Sequence, residues 1–198
     1  MKRKEKAAET EVALKAAARR VFAERGYLVT KITDITAEAG RSAGSFYNHF
    51  SGKEALLEAL MADLSDASDA VAAEPGHLHD FTDPQAVRQH VAVTVRLYRD
   101  HIGTVRAMQQ AALVSEGFAA VVERYSATEM NDILDHVTAV SDAGRTLPAP
   151  PDTAVRMAFG LVHTFLRDRR PENDGLDDDA LTEALTRFVY RGLNGHDY

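Results

Sequence analysis

Apolar residues recur at helical spacing through almost the whole chain, and no stretch of useful length alternates with the period of two that a half-buried strand requires. The pattern predicts an all-α protein of about nine helices. Thr10 is the expected N-cap of a first helix reaching about Arg25, on which Leu14, Ala17, Ala18, Val21 and Phe22 form one stripe and after which Gly26 supplies the stop. A second helix of about two turns starts at Thr33, with Ile32, Ile35, Ala37 and Ala39 facing inward, and ends at Gly40. Ser42 caps a third over residues 43–50, anchored by Phe46 and Phe50 four positions apart. Ser51 and Gly52 interrupt, and Lys53 opens a longer helix to about residue 73 whose stripe is Leu56, Leu57, Leu60, Met61 and Leu64.

The remainder predicts about six helices. Residues 74–82 break the pattern, and Asp83 followed by Pro84 marks a strong start for a helix to about His101. Gly103 restarts the chain in a shorter helix, and Ser115 with Glu116 begins a long one to about Asp142. Asp152 caps the next, and an acidic loop over residues 169–179 precedes the last, which ends with Gly192 and Gly195. These two last helices are apolar on more faces than one-sided packing uses. Met157, Gly160, Leu161, Phe165, Leu185, Phe188 and Val189 are therefore the expected homodimer interface, a four-helix arrangement with two-fold symmetry in which Gly160 admits another backbone.

Charge divides the chain more sharply than composition does. Residues 1–53 hold 11 Lys+Arg against 6 Asp+Glu, net +5, while the other 145 hold 12 against 24, net −12. A basic head on an acidic body implies that only the head approaches a polyanion. Residues 1–9, polar and charged, are expected to be a frayed tail. Zero cysteines exclude disulfides and thiolate metal sites, no signal-peptide-like apolar run follows the basic start, and no window approaches the roughly 20 apolar residues that span a bilayer, so a cytoplasmic protein without membrane contact is expected.

Residues 30–53, TKITDITAEAGRSAGSFYNHFSGK, have the form of a helix-turn-helix, and the second of its helices is too short and too polar to be ordinary core. The face from Ala43 to His49 presents hydrogen-bonding groups beside Gly44, where a backbone can approach closely. In order, VFAERGY, TKITDITAEAG, SAGSFYNHF and SGKEALLEAL resemble the DNA-binding domain of the tetracycline repressor (TetR) family of bacterial regulators, over about residues 11–60. The resemblance implies phosphate contacts from Thr33, Tyr47 and Lys53, and a backbone or base contact from Ser45. It also implies close approach at Gly44 and base-edge or phosphate contacts from Asn48 and His49, with Ser42 and Ala43 opening the same surface. Arg41 stands where the family usually has an apolar residue, and either leaves the head's core slightly under-packed, adds a phosphate or base contact, or is a solvated side chain.

The implied architecture is a helix-turn-helix domain over residues 1–55, a linking helix over about 53–73, and a ligand-binding and dimerisation domain over 56–198. By the same resemblance the body binds an effector, and its aromatic and Met content favours a small apolar or aromatic one. Tyr98, His101, Met108, Phe118, Tyr125, His163 and Phe165 are the candidate pocket residues. No P-loop, GxSxG, HExxH or glycine fingerprint is present, so no catalytic residue and no cofactor is expected. His77, His79 and Asp80 have metal-binding side chains, but without a second cluster at ligand spacing they read as a solvated loop and no metal site is expected. The sum is a ligand-responsive repressor, homodimeric on a palindromic operator in double-stranded DNA. The alternatives are a sequence-nonspecific structural DNA-binding protein and a helical small-molecule-binding protein whose head no longer reads DNA.

Overall fold

The computed structural model describes residues 2–73 and 75–196. Met1, where the expected tail begins, and Glu74, where the expected interruption begins, lie outside the described residues. Ten helical elements, and no strand, occur among those described: α1 (Lys2–Arg25), α2 (Ile32–Glu38), α3 (Ala43–Tyr47), α4 (Lys53–Ala72), α5 (Pro84–Val114), α6 (Glu116–Asp132), α7 (Leu134–Asp142), α8 (Pro151–Asp168), α9 (Pro171–Asp174) and α10 (Asp178–Asn194). The tenth, α9, is a single turn inside the expected acidic loop.

Helix ends fall where local chemistry demands them. Gly26 and Gly40 adopt φ of +80° and +60°, the left-handed conformation that closes α1 and α2. Asp83 accepts from the Gln85 N–H at 2.8 Å, Ser115 from the Phe118 N–H at 3.2 Å, and Asp177 from the Ala180 N–H at 2.8 Å, capping α5, α6 and α10. Four starts or stops differ from expectation. Helix α1 begins eight residues before Thr10, because residues 2–9 are rich in Lys, Glu and Ala, and the Thr10 hydroxyl donates back to the Lys6 carbonyl at 2.9 Å instead of capping. Helix α2 is capped from Lys31, whose N–H donates to Asp34 Oδ2 at 2.8 Å, so Thr33 lies inside it; Thr36, not Ala37, is buried beside Ile35. The expected long helix over 116–142 breaks at Ile133 (φ −100°, ψ 0°) into α6 and α7. Helix α8 starts on Pro150 and Pro151, placing Asp152 in its first turn.

Two compact units are formed, and neither is contiguous in sequence. One comprises Met1–Ala67 and His101–Glu123, the other Ser68–Asp100 and Arg124–Tyr198. The helix-turn-helix therefore folds together with residues 101–123, which the sequence assigned to the body. Gly103 makes this possible: a Cβ there would lie 2.6 Å from Ala23 Cβ and 2.8 Å from Ala23 Cα, so only glycine lets this part of α5 reach the α1 backbone. Gln110 Oε1 then accepts from the Tyr27 N–H at 2.7 Å, satisfying the chain where it leaves Gly26. The restart expected before Gly103 is a kink in α5 at His101 (φ −131°, ψ 17°), where the chain passes from the second unit to the first.

The core of the first unit is Leu14, Ala17, Ala18, Val21 and Phe22 of α1 with Ile35, Phe46, Phe50, Leu56, Leu57 and Leu60, all buried. That of the second unit centres on Val87, Val91, Val137, Val140, Val155, Leu181 and Leu193. Within the second unit Arg145 donates to the Thr82 carbonyl (3.3 Å), the Tyr190 hydroxyl (3.1 Å) and the Asn194 side-chain carbonyl. Asn194 in turn donates to the Phe81 carbonyl at 3.0 Å.

Candidate nucleic-acid interface and body cavity

Ser42 fixes the start of α3 by accepting the Ser45 N–H at 3.1 Å, and Phe46 is fully buried between Tyr47 and Phe50 at ring-centre distances of 5.5 and 5.7 Å. With Phe46 as anchor, the opposite face turns outward. Arg41, Ser42, Ala43, Gly44, Tyr47 and Asn48 are exposed, Tyr47 at 57 % despite its aromatic ring, and Ser45 is half-exposed. Nothing beyond the Ser42 hydroxyl at 3.9 Å crowds Gly44, and Thr33 is exposed on α2. Arg41 lies in solvent, so it does not leave a hole in the core.

Two expected contacts are placed differently. His49 turns toward α1, with Nδ1 3.9 Å from Glu11 Oε2 and its side chain largely covered. Lys53 points into the fold: Nζ donates to the Tyr27 and Thr30 carbonyls at 2.6 and 2.7 Å and lies 4.1 Å from the centre of the Tyr27 ring. Burial lowers its pKa. Lys53 thus staples the start of α4 to the loop between α1 and α2. Other cations of the basic head are also engaged inside it, Lys15 and Arg19 with Asp63, and Arg20 with Glu38.

A buried helical scaffold displaying a short polar helix, with a glycine at its most exposed turn, is the arrangement that enters a DNA major groove. Residues 14–60 match the model of the bacterial regulatory proteins of the tetR family. This helix-turn-helix segment is similar to the tetR family. YerO of Bacillus subtilis, an uncharacterized HTH-type transcriptional regulator, is 24 % identical over 88 % of the chain, and TtgR of Pseudomonas putida, an HTH-type transcriptional regulator, is 37 % identical over 41 % of it. The chain spans 60 % of the length of YerO and 38 % of TtgR. Among solved structures, the fatty acid degradation regulator FadR from Bacillus halodurans superposes with a TM-score of 0.76 at 18 % identity, over 93 % of this chain and 96 % of FadR. A tetR-family regulatory protein from Rhodococcus RHA1 does so with a TM-score of 0.75 at 21 % identity, over 93 % and 97 %. At such identities these structures establish the fold alone, an all-α architecture along nearly the whole chain.

The second unit holds a cavity lined by Asp69, Val71, Ala72, His77, Gln89, His90, Val93, Glu129, Ile133, His136, Phe159 and His163 among others. Of the seven expected pocket residues only His163 lines it. Tyr98 stands behind His163, its hydroxyl 3.0 Å from Nδ1, and Phe159 stacks on the imidazole at 3.7 Å with a 19° tilt. Burial pulls His163 down to about 4 and pushes Tyr98 up to about 12, so the tyrosine donates and the neutral imidazole accepts. Tyr125 is bonded to the cavity residue Glu129, whose pKa burial and the nearby Asp132 and Asp69 carboxylates raise to about 7. Phe165 is 44 % exposed on the other side of α8, and His101, Met108 and Phe118 belong to the first unit, the last two within its core. The sequence missed Glu129, His90 and His136 because helical spacing marks them only as mid-helix polar residues, and it read His77 as part of a solvated loop. No helix of the described residues is long and apolar enough to cross a membrane.

Proposed function

We propose that this chain is a ligand-responsive transcription regulator that binds a palindromic DNA site as a homodimer. The observation that carries this reading is the outward face of α3, where Ala43, Gly44, Ser45, Tyr47 and Asn48 stand free of the core that Phe46 anchors. Ser45 and Asn48 offer groups for base edges, while Tyr47 and Thr33 offer hydroxyls for phosphates. Arg41 and Lys31, both exposed beside it, add positive charge. Lys53 and His49 act on the position of this surface through the contacts they make within the head.

Dimerisation is supported by the outer face of α8 and α10. Met157 and Phe188 are 57 % and 63 % exposed, and with Pro148, Leu161 and Gly192 they line an apolar groove. Nothing lies within 4 Å of the Cβ position at Gly160, which leaves room for another backbone. Leu185 and Val189 are buried and belong to the core beneath this face. Two-fold symmetry then presents two α3 helices to major grooves about one DNA turn, roughly 34–36 Å, apart or a multiple of it.

The effector site is the body cavity, whose Val71, Val93, Ile133 and Phe159 suit an apolar or aromatic body and whose Glu129 suits a hydrogen-bonding or cationic end. The effector acts by preferring the conformation that does not fit the operator. DhaR and KstR2, similar to this chain over 22 % and 23 % of its length, are named repressors, and repression is the sign proposed here. The test is selection of bound sequences from a random duplex pool by the purified chain at physiological salt. Recovery of one palindromic motif supports the reading; a folded, dimeric protein that enriches no motif overturns it.

A further inference from the structure

The loop between α4 and α5 carries His77 and His79, and the fold lays it over His136 of α7. Nδ1 of His79 is 3.2 Å from Nε2 of His136, Nε2 of His77 is 3.5 Å from the same atom, and one ring nitrogen from each of the three lies within 4.8 Å of the others. Three imidazole nitrogens brought this close satisfy one another poorly as hydrogen-bonding groups. His136 Nε2 faces two nitrogens at once, and its Nδ1 is buried with no partner although the residue is only 6 % exposed. The spacing suits another bond. Tetrahedral zinc with Zn–N of about 2.0–2.1 Å sets its ligand nitrogens about 3.3 Å apart, between the two shorter separations seen here.

A fourth imidazole, His90 of α5, packs against the trio at ring-centre distances of 4.7 Å from His77 and 4.9 Å from His136. Its Nδ1 lies 2.9 Å from the Ala86 carbonyl, which fixes the tautomer with a proton on Nδ1 and a lone pair on Nε2. The loop itself is held in place. Gln89 accepts from the Leu78 N–H at 2.9 Å and donates to the Gly76 carbonyl at 3.1 Å. The Phe81 N–H donates to the His136 carbonyl at 3.3 Å, and Asn194 and Tyr190 donate to the Phe81 and Thr82 carbonyls at 3.0 and 3.1 Å. A solvated loop has no need of so many anchors from α5, α7 and α10.

We propose that His77, His79 and His136 bind a divalent transition-metal ion of the zinc class, with the fourth coordination position left to a ligand entering from the cavity. All-imidazole donors select borderline ions such as zinc, cobalt or nickel over magnesium or calcium, which require oxygen. His77, His90 and His136 also line the body cavity, so the ion forms part of its wall. The site stands on the geometry of the body alone and does not depend on what the head binds.

The experiment uses the full chain, stripped with a chelator and titrated with Co2+ as a spectroscopic stand-in for Zn2+, without DNA. The expected result is one Co2+ per chain with the intense visible bands of four-coordinate ligation, displaced by one equivalent of Zn2+. His79→Gln, at an exposed loop position, and the double variant His77→Ala/His79→Ala are expected to weaken binding at least about tenfold and abolish those bands while leaving the helical circular dichroism unchanged. The proposal is overturned if the wild-type chain takes up no stoichiometric metal, if the bound Co2+ shows only the weak spectrum of an octahedral ion, or if the double variant binds as the wild type does.

Discussion

Lys53 separates a structural from a DNA-contacting explanation of the same residue. In this fold its ammonium donates to the Tyr27 and Thr30 carbonyls at 2.6 and 2.7 Å and lies over the Tyr27 ring. Replacing it with Met keeps most of the aliphatic stem and removes the charge, leaving both carbonyls to water. A hydrogen bond from a charged group contributes about 1.5–3 kcal/mol and a partly exposed cation–π contact about 0.5–1 kcal/mol; with the site half-buried, the expected loss for Lys53→Met is about 2–4 kcal/mol. Unfolding in urea followed by helical circular dichroism, the probe suited to a chain without Trp, at fixed protein concentration because the proposed dimerisation would shift the midpoint, reads this as a midpoint lower by roughly 1 M or more. Lys31→Met, at an exposed position on the same head, is the control and is expected to stay within about 0.5 kcal/mol of wild type. If Lys53→Met unfolds with the wild-type midpoint yet loses DNA affinity, the staple is not what Lys53 does and the argument from its geometry fails.

Gly103→Ala places a Cβ 2.6 Å from that of Ala23, and the overpacking, about 1–3 kcal/mol, exceeds the roughly 1 kcal/mol that alanine gains in a helix. Thermal melts are expected to show net destabilisation, partly rescued by Ala23→Gly; unchanged or raised stability contradicts the close approach. Phe188→Asp sets a charge in the exposed apolar face of α10 and is expected to yield a folded monomer in analytical ultracentrifugation, whereas an intact dimer places the interface elsewhere. His163 has its pKa pulled by burial from 6.5 to about 4, so between these values the unfolded chain binds the proton more readily. Its contribution is present above pH 6.5 and is lost as pH falls toward 4, by up to about 1.4 kcal/mol per pH unit, and denaturant titrations should show His163→Gln with a flatter profile in that window.

What the sequence disclosed was whatever local chemistry determines. Gly26, Gly40, Asp83–Pro84, Ser115 and the acidic run at Asp177 end or start helices because capping acts within a few residues, and Phe46 and Phe50 anchor α3 because four-residue spacing fixes a face. The start of α1 was missed because Thr10 satisfied its hydroxyl inside the helix, and the break at Ile133 because no glycine or proline marks it. The folding of residues 101–123 with the head rests on Gly103 meeting Ala23 across 80 positions, which no local pattern encodes. The histidine cluster was dismissed for a related reason: His77 and His79 lacked a second group at ligand spacing, and that group, His136, arrives only through the fold. Lys53 and His49 hold positions that the resemblance assigns to DNA contacts, and the fold engages them with the Tyr27 and Thr30 carbonyls and with Glu11, partners that no local pattern announces.

The central claim is that the exposed face of α3 reads sequence. The most direct measurement is the affinity of the purified protein, at one stated physiological salt concentration, for its selected palindrome and for a scrambled duplex of equal length and composition. A preference of at least about 10³-fold, with two chains bound per palindrome or a multiple of two, is the predicted result. Equal affinity for the two duplexes would contradict the account, leaving the head as an electrostatic contact that reads no bases.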